Sequence, residues 1–233
     1  MTRRENISAS ISALLISLLL MVGVVPAQAQ FGKKVKKVLE QPDTLPFFRG
    51  IAVSADLFGP AMHLFGDYGQ VEAAVRVNLR DRYFPILELG YGQCDHVDDA
   101  TQISYKTHAP YFRVGVDYNL LKNKHDLYRL YGGVRYAYTN FKFDLGNPGV
   151  IDPIWQDLAH FEAQGVKAYY HWIELAFGVD ATIWGPLHLG WTVRYRNRLF
   201  CDEGRLGKCW YVPGFGKTAK SNFGATFNVI FEL

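Results

Sequence analysis

From Ala168 to Trp184 the chain alternates with a period of two, and an extended strand with two unlike faces is the only regular structure that matches it. One face carries Tyr169, His171, Ile173, Leu175, Phe177, Val179, Ala181 and Ile183. The other carries Tyr170, Trp172, Glu174, Ala176, Gly178, Asp180, Thr182 and Trp184. The pattern returns from Leu187, where Leu189, Trp191, Val193 and Tyr195 alternate with His188, Gly190, Thr192, Arg194 and Arg196. It returns again where Val71, Ala73, Val75, Val77 and Leu79 alternate with Glu72, Arg76 and Asn78. A helix-period stripe is absent from Gly50 onward, so the fold class is all-β.

Eight strands are predicted: Gly50–Phe58, Gln70–Leu79, Phe84–Gly92, His108–Leu120, Leu127–Phe141, Ala168–Trp184, Leu187–Phe200 and Ser221–Leu233. The connections alternate in length. Gly59–Gly69, Gln93–Thr107, Lys142–Lys167 and Cys201–Lys220 are long; Arg80–Tyr83, Leu121–Asp126 and Gly185–Pro186 are short. An antiparallel up-and-down barrel with long loops at one end and tight turns at the other fits that order.

The two faces permit two barrels. A water-soluble barrel points its apolar face inward and its charges outward; a membrane barrel does the reverse. Three features favour the membrane form, with the short turns in the periplasm. The strands often reach ten residues or more, where a tilted membrane strand needs about 9–11. Aromatic residues stand near strand ends on the apolar face, with Tyr118, Tyr128 and Phe231 toward one end and Tyr91, Tyr138, Tyr169 and Phe223 toward the other, as interfacial girdles would. The polar face holds Gly115, Gly133, Gly178, Gly190 and Gly224, which suit a crowded lumen.

The first 29 residues read as a signal peptide. Arg3 and Arg4 precede an apolar run from Ile11 to Val25, and Ala27-Gln28-Ala29 has the small-x-small form of a cleavage site. The predicted organisation is a signal at 1–29, a periplasmic lead at 30–46 and an outer-membrane barrel at 47–233. The lead carries Lys33, Lys34, Lys36 and Lys37, which suit a solvated tail or contact with anionic lipid. Without the signal, 23 basic residues face 21 acidic ones, a balance that argues against nucleic-acid binding.

On these features (the signal Met1–Ala29, the alternating strands from Gly50, and the terminal run Phe223–Leu233) the chain resembles the small outer-membrane barrels of the OmpA-domain and OmpX type. Its Tyr- and Gly-rich style is similar to barrel families of Bacteroidota. The resemblance implies location in the outer membrane among its lipids, and a last strand read by the barrel-assembly machinery. Such barrels usually end in an aromatic residue; this chain ends in Leu233. Fold likeness alone does not assign function, since small barrels serve as enzymes, adhesins and structural proteins.

The predicted register turns Asp56, Glu72, Glu88, Asp117, Glu174, Asp180 and Glu232 inward, together with Arg76, Arg113, Arg129, Arg135, Arg194, Arg196 and Arg198. Eight strands leave an interior that side chains fill, so these groups read as a salt-bridged plug rather than an ion path. Asp180 is expected to lie near the His188–Arg194 stretch across its hairpin. Cys201 and Cys209 share one external loop of an exported chain, and a disulfide between them is expected, with Cys94 as the odd thiol. Asp95, His96, Asp98 and Asp99 cluster in the second long loop without a recognised metal-ligand spacing. His63, His96, His108, Asp67 and Ser104 lie in or beside external loops, but no nucleophile elbow, zinc motif or phosphate loop accompanies them. No cofactor motif is present. Trp155 and Phe161 in the third loop, and Trp210, Tyr211 and Phe215 in the fourth, suit either a recognition surface or packing over the barrel mouth. Three functions therefore stand at the level of sequence: a structural or surface-binding outer-membrane barrel, an outer-membrane enzyme acting on lipid or peptide, and a secreted barrel holding an apolar ligand.

Overall fold

The computed structural model describes residues 46–121, 128–151, 158–204 and 209–233. The expected signal peptide, nearly all of the lead with its lysines, and Trp155 lie outside the described residues. Among those described, the barrel strands are β1 (Phe48–Asp56), β2 (Tyr68–Leu79), β3 (Tyr83–Val97), β4 (Ser104–Asn119), β5 (Tyr128–Ile151), β6 (Leu158–Trp184), β7 (Leu187–Asp202) and β10 (Ser221–Glu232). They close in sequential antiparallel order, with β10 completing the ring against β1. A helix, α1 (Phe58–Phe65), follows β1, and a short hairpin of β8 (Tyr211–Val212) and β9 (Gly216–Lys217) lies between β7 and β10.

Two corrections to the expected elements concern the end with long loops. The connections expected at Gln93–Thr107 and Lys142–Lys167 are largely strand: β3 and β4 run on through Val97 and from Ser104, and β5 and β6 extend to 24 and 27 residues. The other barrel strands run from 9 to 16 residues, so the β5–β6 hairpin projects past their ends. The stretch Gly59–Gly69, expected as loop, contains α1. Asp56 starts that helix: its carboxylate accepts hydrogen bonds from the backbone N–H groups of Phe58 (3.0 Å) and Gly59 (2.9 Å). Pro60 sits in the first turn, where its missing N–H leaves no intrahelical bond unmade.

At the opposite end the turns are tight. Arg80 and Asp81 both adopt positive φ, 55° and 53°, as the central pair of a two-residue hairpin with the twist of the flanking strands. Asn78 supports them, accepting from the Asp81 N–H (2.9 Å) and donating to its carboxylate (2.6 Å). Gly185 supplies the positive φ of the β6–β7 turn.

The partition of side chains is inverted relative to a water-soluble protein. Val53, Val75, Leu87, Val114, Val134, Leu175, Val193 and Phe231 ring the outside, one from each barrel strand, and each is 43–54% exposed. Glu174, beside Leu175 in sequence, is 0% exposed, and Arg113, beside Val114, is likewise 0%. Charged groups are almost never fully buried unless paired.

Glycine makes room for them at the narrowest points. A methyl group on Gly133 would collide with Asp117 Oδ1, and one on Gly190 with Asp180 Oδ1. Gly132 is different: a methyl there meets only Leu120 Cδ1, at 3.6 Å. Gly133→Ala is therefore expected to destabilise the barrel by about 1–3 kcal/mol, the usual cost of overpacking, while Gly132→Ala leaves it nearly unchanged. Urea unfolding in lipid vesicles measures both; equal effects would contradict the seating of Asp117.

Candidate functional site

The interior contains one connected ionic network. Arg113 is its hub. Nη1 donates to Glu72 and to Glu88 Oε2 (3.1 Å), Nη2 donates to the Gly214 carbonyl (2.8 Å), and Nε stands 2.9 Å from Glu174 Oε1. Arg135 joins Glu88 (2.9 Å) to Asp117 (3.0 Å). Arg76 joins Asp180 (2.5 Å) to Asp117 (3.9 Å). Arg194 reaches Glu72 (2.7 Å) and Glu88 (3.2 Å), and Arg196 reaches Glu174 (3.3 Å). Tyr111 donates to Glu72 (2.9 Å), and its ring lies under Arg113 with the guanidinium carbon 4.5 Å from the centroid. Among the lining residues Ser54, Glu72, Arg76, Glu88, Arg135 and Arg194, the space left is about 10 Å³, room for about one water.

The remaining inward groups sit at the ends or play another part. Glu232 pairs with Arg129 (2.8 Å) and His188 (3.1 Å) near the tight turns. Arg198 meets Glu203 (3.3 Å) at the other end, where it is part-exposed. Asp56 carries no arginine; it holds the start of α1 and accepts from the Phe227 N–H (3.0 Å). Asp180 lies at the expected level of its hairpin, opposite Gly190, and Arg76 on β2 takes its carboxylate across the lumen.

Above the network the barrel mouth is filled by the β8–β9 hairpin. Tyr211, Val212 and Phe215 are buried among Tyr105, Phe143, Tyr170 and Trp172 of the inner wall. The Phe215 ring lies edge-on to Trp172, centroids 5.7 Å apart. Polar bonds fix the hairpin from both sides. Arg113 and Arg196 donate to the carbonyls of Gly214 (2.8 Å) and Phe215 (2.9 Å), and Tyr105 donates to the Tyr211 carbonyl (2.6 Å). The fourth-loop aromatics thus pack into the mouth, with Trp210 half-buried above them; in the third, Phe161 is exposed.

In place of the expected Cys201–Cys209 disulfide the structure holds free thiols. The hairpin draws Cys209 into the aromatic mouth, where its sulfur lies 3.8 Å from the Tyr170 hydroxyl and 3.5 Å from Thr218 Oγ1. Burial pushes that thiol above its ordinary pKa. Cys201 lies 3.9 Å from Glu203 Oε1, and Cys94 is buried in the same aromatic cluster.

The loop residues considered for metal or catalysis do not assemble into one site. Asp95 pairs with Lys106 (3.0 Å). Asp98 accepts from the N–H groups of Ala100 (3.0 Å) and Thr101 (2.8 Å), and these bonds hold its carboxyl below the usual range. Asp99 contributes its backbone carbonyl to Gln102 (3.0 Å). His96 is clasped between Asp67 (2.8 Å) and the Trp210 ring stacked at 3.9 Å. His63 bonds Gln93, His108 lies on the outer face by Tyr91, and Ser104 donates to the Gly146 carbonyl (3.1 Å). Among the described residues no group of three His, Cys, Asp or Glu side chains is arranged to hold a metal ion.

Of the cavities at this end, one of about 360 Å³ lies between α1, the start of β2, the β8–β9 hairpin and the upper part of β10. Phe58, Met62, Phe223 and Ala225 line it together with Tyr68, Arg196 and Lys217. Lys217 Nζ stands 4.9 Å from the Trp210 ring centroid. The apolar lining residues and the two cations were not read as one site in the sequence, because α1 was not foreseen there.

The chain belongs to the family described as a domain of unknown function, DUF6048, whose model matches residues 10–231. No curated protein matches. Among solved structures, the chain is similar to Ail, the attachment invasion locus protein of Yersinia pestis, in complex with the heparin analogue sucrose octasulfate. The match has 9% identity and a TM-score of 0.38, covering 78% of this chain and 93% of Ail.

Removal of the network hub should be costly. Arg113→Leu leaves three buried carboxylates short of their cation and is expected to lower unfolding stability by about 3–5 kcal/mol, with Val114→Leu on the exposed outer face near zero. A small effect of Arg113→Leu in vesicle unfolding would mean that the network does not hold the barrel together.

Proposed function

We propose that this member of the DUF6048 family is an integral outer-membrane barrel with a sealed lumen, which acts through its outer end in a structural or surface-binding role. The observation that carries the reading is the inverted partition: an apolar ring exposed on all eight strands around a fully buried ionic interior. In water such a ring would be a large apolar patch of the kind that marks a membrane or partner surface; in a bilayer it is the lipid-facing band. Closure of the eight strands into one ring, β10 against β1, also removes most of the sheet edge, as a bilayer requires.

Export by the segment at 1–29 and recognition of the terminal strand by the barrel-assembly machinery complete the reading. In β10, Phe223, Ala225, Phe227, Val229 and Phe231 share one face, the alternation such a signal needs. The β5–β6 hairpin is built from the two longest strands and carries exposed Phe161. Surface binding there suits the fold better than transport, because the lumen holds room for about one water.

Fractionation and electrical recording test this reading. The native protein is expected in the outer-membrane fraction, with gel migration that changes on boiling, and with no steady current across a planar bilayer. Recovery from the periplasm without detergent would contradict the location, and stable nanosiemens-scale openings would contradict the sealed lumen.

A further inference from the structure

The barrel wall is incomplete on one side. The pairing of β1 with β10 ends at Asp56↔Asn228, and its pairing with β2 ends at Ala55↔Ala73. Beyond these points the chain leaves the sheet as α1, with a single further backbone bond from the Leu57 N–H to the Phe227 carbonyl (2.8 Å). The upper parts of β10 and β2 therefore face each other across a slot that α1 only partly fills, and the 360 Å³ cavity is that slot. β10 is 12 residues long, about one membrane crossing. Its upper half thus lies in the outer leaflet if the protein spans the bilayer, so the slot opens sideways into lipid. Irregular backbone at that depth is tolerated where it lines a cavity or is covered by other groups.

The slot is amphipathic from outside to inside. Phe58, Met62 and Ala225 form its apolar outer part, and Phe223 at the rim is 72% exposed. The inner part is cationic. The Arg196 guanidinium passes over Gly224, where a side-chain carbon would sit 2.6 Å from Nη2, and exposed Lys217 stands at the mouth. α1 adds Leu64 and Phe65, 79% and 91% exposed, on the side away from the barrel. These side chains are costly in water and at home in an interfacial helix.

Resting on the membrane reading, we propose that the slot is a binding site for an anionic phospholipid of the surrounding leaflet. An acyl chain lies against Phe58, Met62 and Ala225, and the phosphate is held by Lys217 and Arg196. An apolar channel ending on two cations matches an amphiphile with a negative head. It suits neither a neutral apolar ligand nor a soluble anion, since each would leave half of the lining unmatched.

The test uses the folded mature chain in phosphatidylcholine vesicles doped with phosphatidylglycerol, followed by gentle detergent release and native mass spectrometry. Wild-type protein is expected to retain one phosphatidylglycerol in preference to phosphatidylcholine, and soluble glycerol 3-phosphate should not displace it. Lys217→Glu is expected to lower that occupancy by about thirtyfold, since the reversal removes one cation and adds one anion at roughly 1 kcal/mol each for anionic lipid binding. Ala225→Trp, which fills the apolar part, should abolish retention of either lipid while the barrel stays folded. Equal retention of both lipids, indifferent to Lys217→Glu, would overturn the proposal. So would displacement by glycerol 3-phosphate, or a chain that inserts into vesicles and keeps no lipid. Failure to insert at all would overturn the slot and the membrane reading together.

Discussion

The ionic network inside the barrel is the constraint on which the rest of the structure depends. Arg76, Arg113, Arg135, Arg194 and Arg196 meet Glu72, Glu88, Asp117, Glu174 and Asp180 in a space closed to bulk water. Each buried charge alone would cost several kcal/mol, and only a nearly complete set of partners offsets that. Guanidinium suits the task because its planar fork can serve two carboxylates at once; Arg135 donates from Nη2 to Asp117 and sets Nη1 2.9 Å from Glu88. The network thus links strands that are not neighbours in the sheet. Arg76 on β2 bonds Asp180 on β6, and Arg194 on β7 bonds Glu88 on β3.

The outer end builds on the same groups. Two network arginines turn spare donors upward to the carbonyls of Gly214 and Phe215, so the hairpin that fills the mouth is seated on the plug beneath it. Aromatic packing against Tyr105, Tyr170 and Trp172 then excludes water from above. Barrel, plug and stopper form one continuous core. It changes from ionic at mid-height to aromatic at the rim, and the external loops rest on it.

Much of this was legible in the sequence because one face of each strand is written in a period of two. The two faces of β6 and β7 follow from alternation alone; the inward placement of Glu174 and Arg194 follows once strand length, girdle aromatics and the glycines of the polar face choose the side. Partners across the lumen do not, since they depend on strand tilt and shear that a single sequence does not encode in any local pattern. Asp180 faces Gly190, within the His188–Arg194 stretch that the hairpin predicts, but its cation is Arg76 across the lumen, which no local pattern announces. The extensions of β5 and β6 are hidden in the sequence because turn-forming residues such as Asn147 and Gly149 sit at an irregularity inside β5, between the Asn147 and Val150 pairs, rather than at its end. The helix α1 carried signals in Asp56 and Pro60, but eight residues between two strands give too short a stripe for periodicity to reveal. Tyr211 and Phe215 permitted two fates, and packing into the mouth won because the arginines below supply donors for their turn.

The central claim is that the alternating faces of these strands divide lipid from a dry ionic interior. Spin labels placed one at a time along Leu175–Asp180 in the vesicle-inserted protein test this most directly, by their collision with oxygen, which concentrates in lipid, and with a water-soluble nickel chelate. The account predicts high oxygen and low nickel accessibility at Leu175, Phe177 and Val179, and low accessibility to both at Ala176 and Gly178. Strong nickel accessibility at Leu175, Phe177 and Val179 would put that face in water and contradict the account.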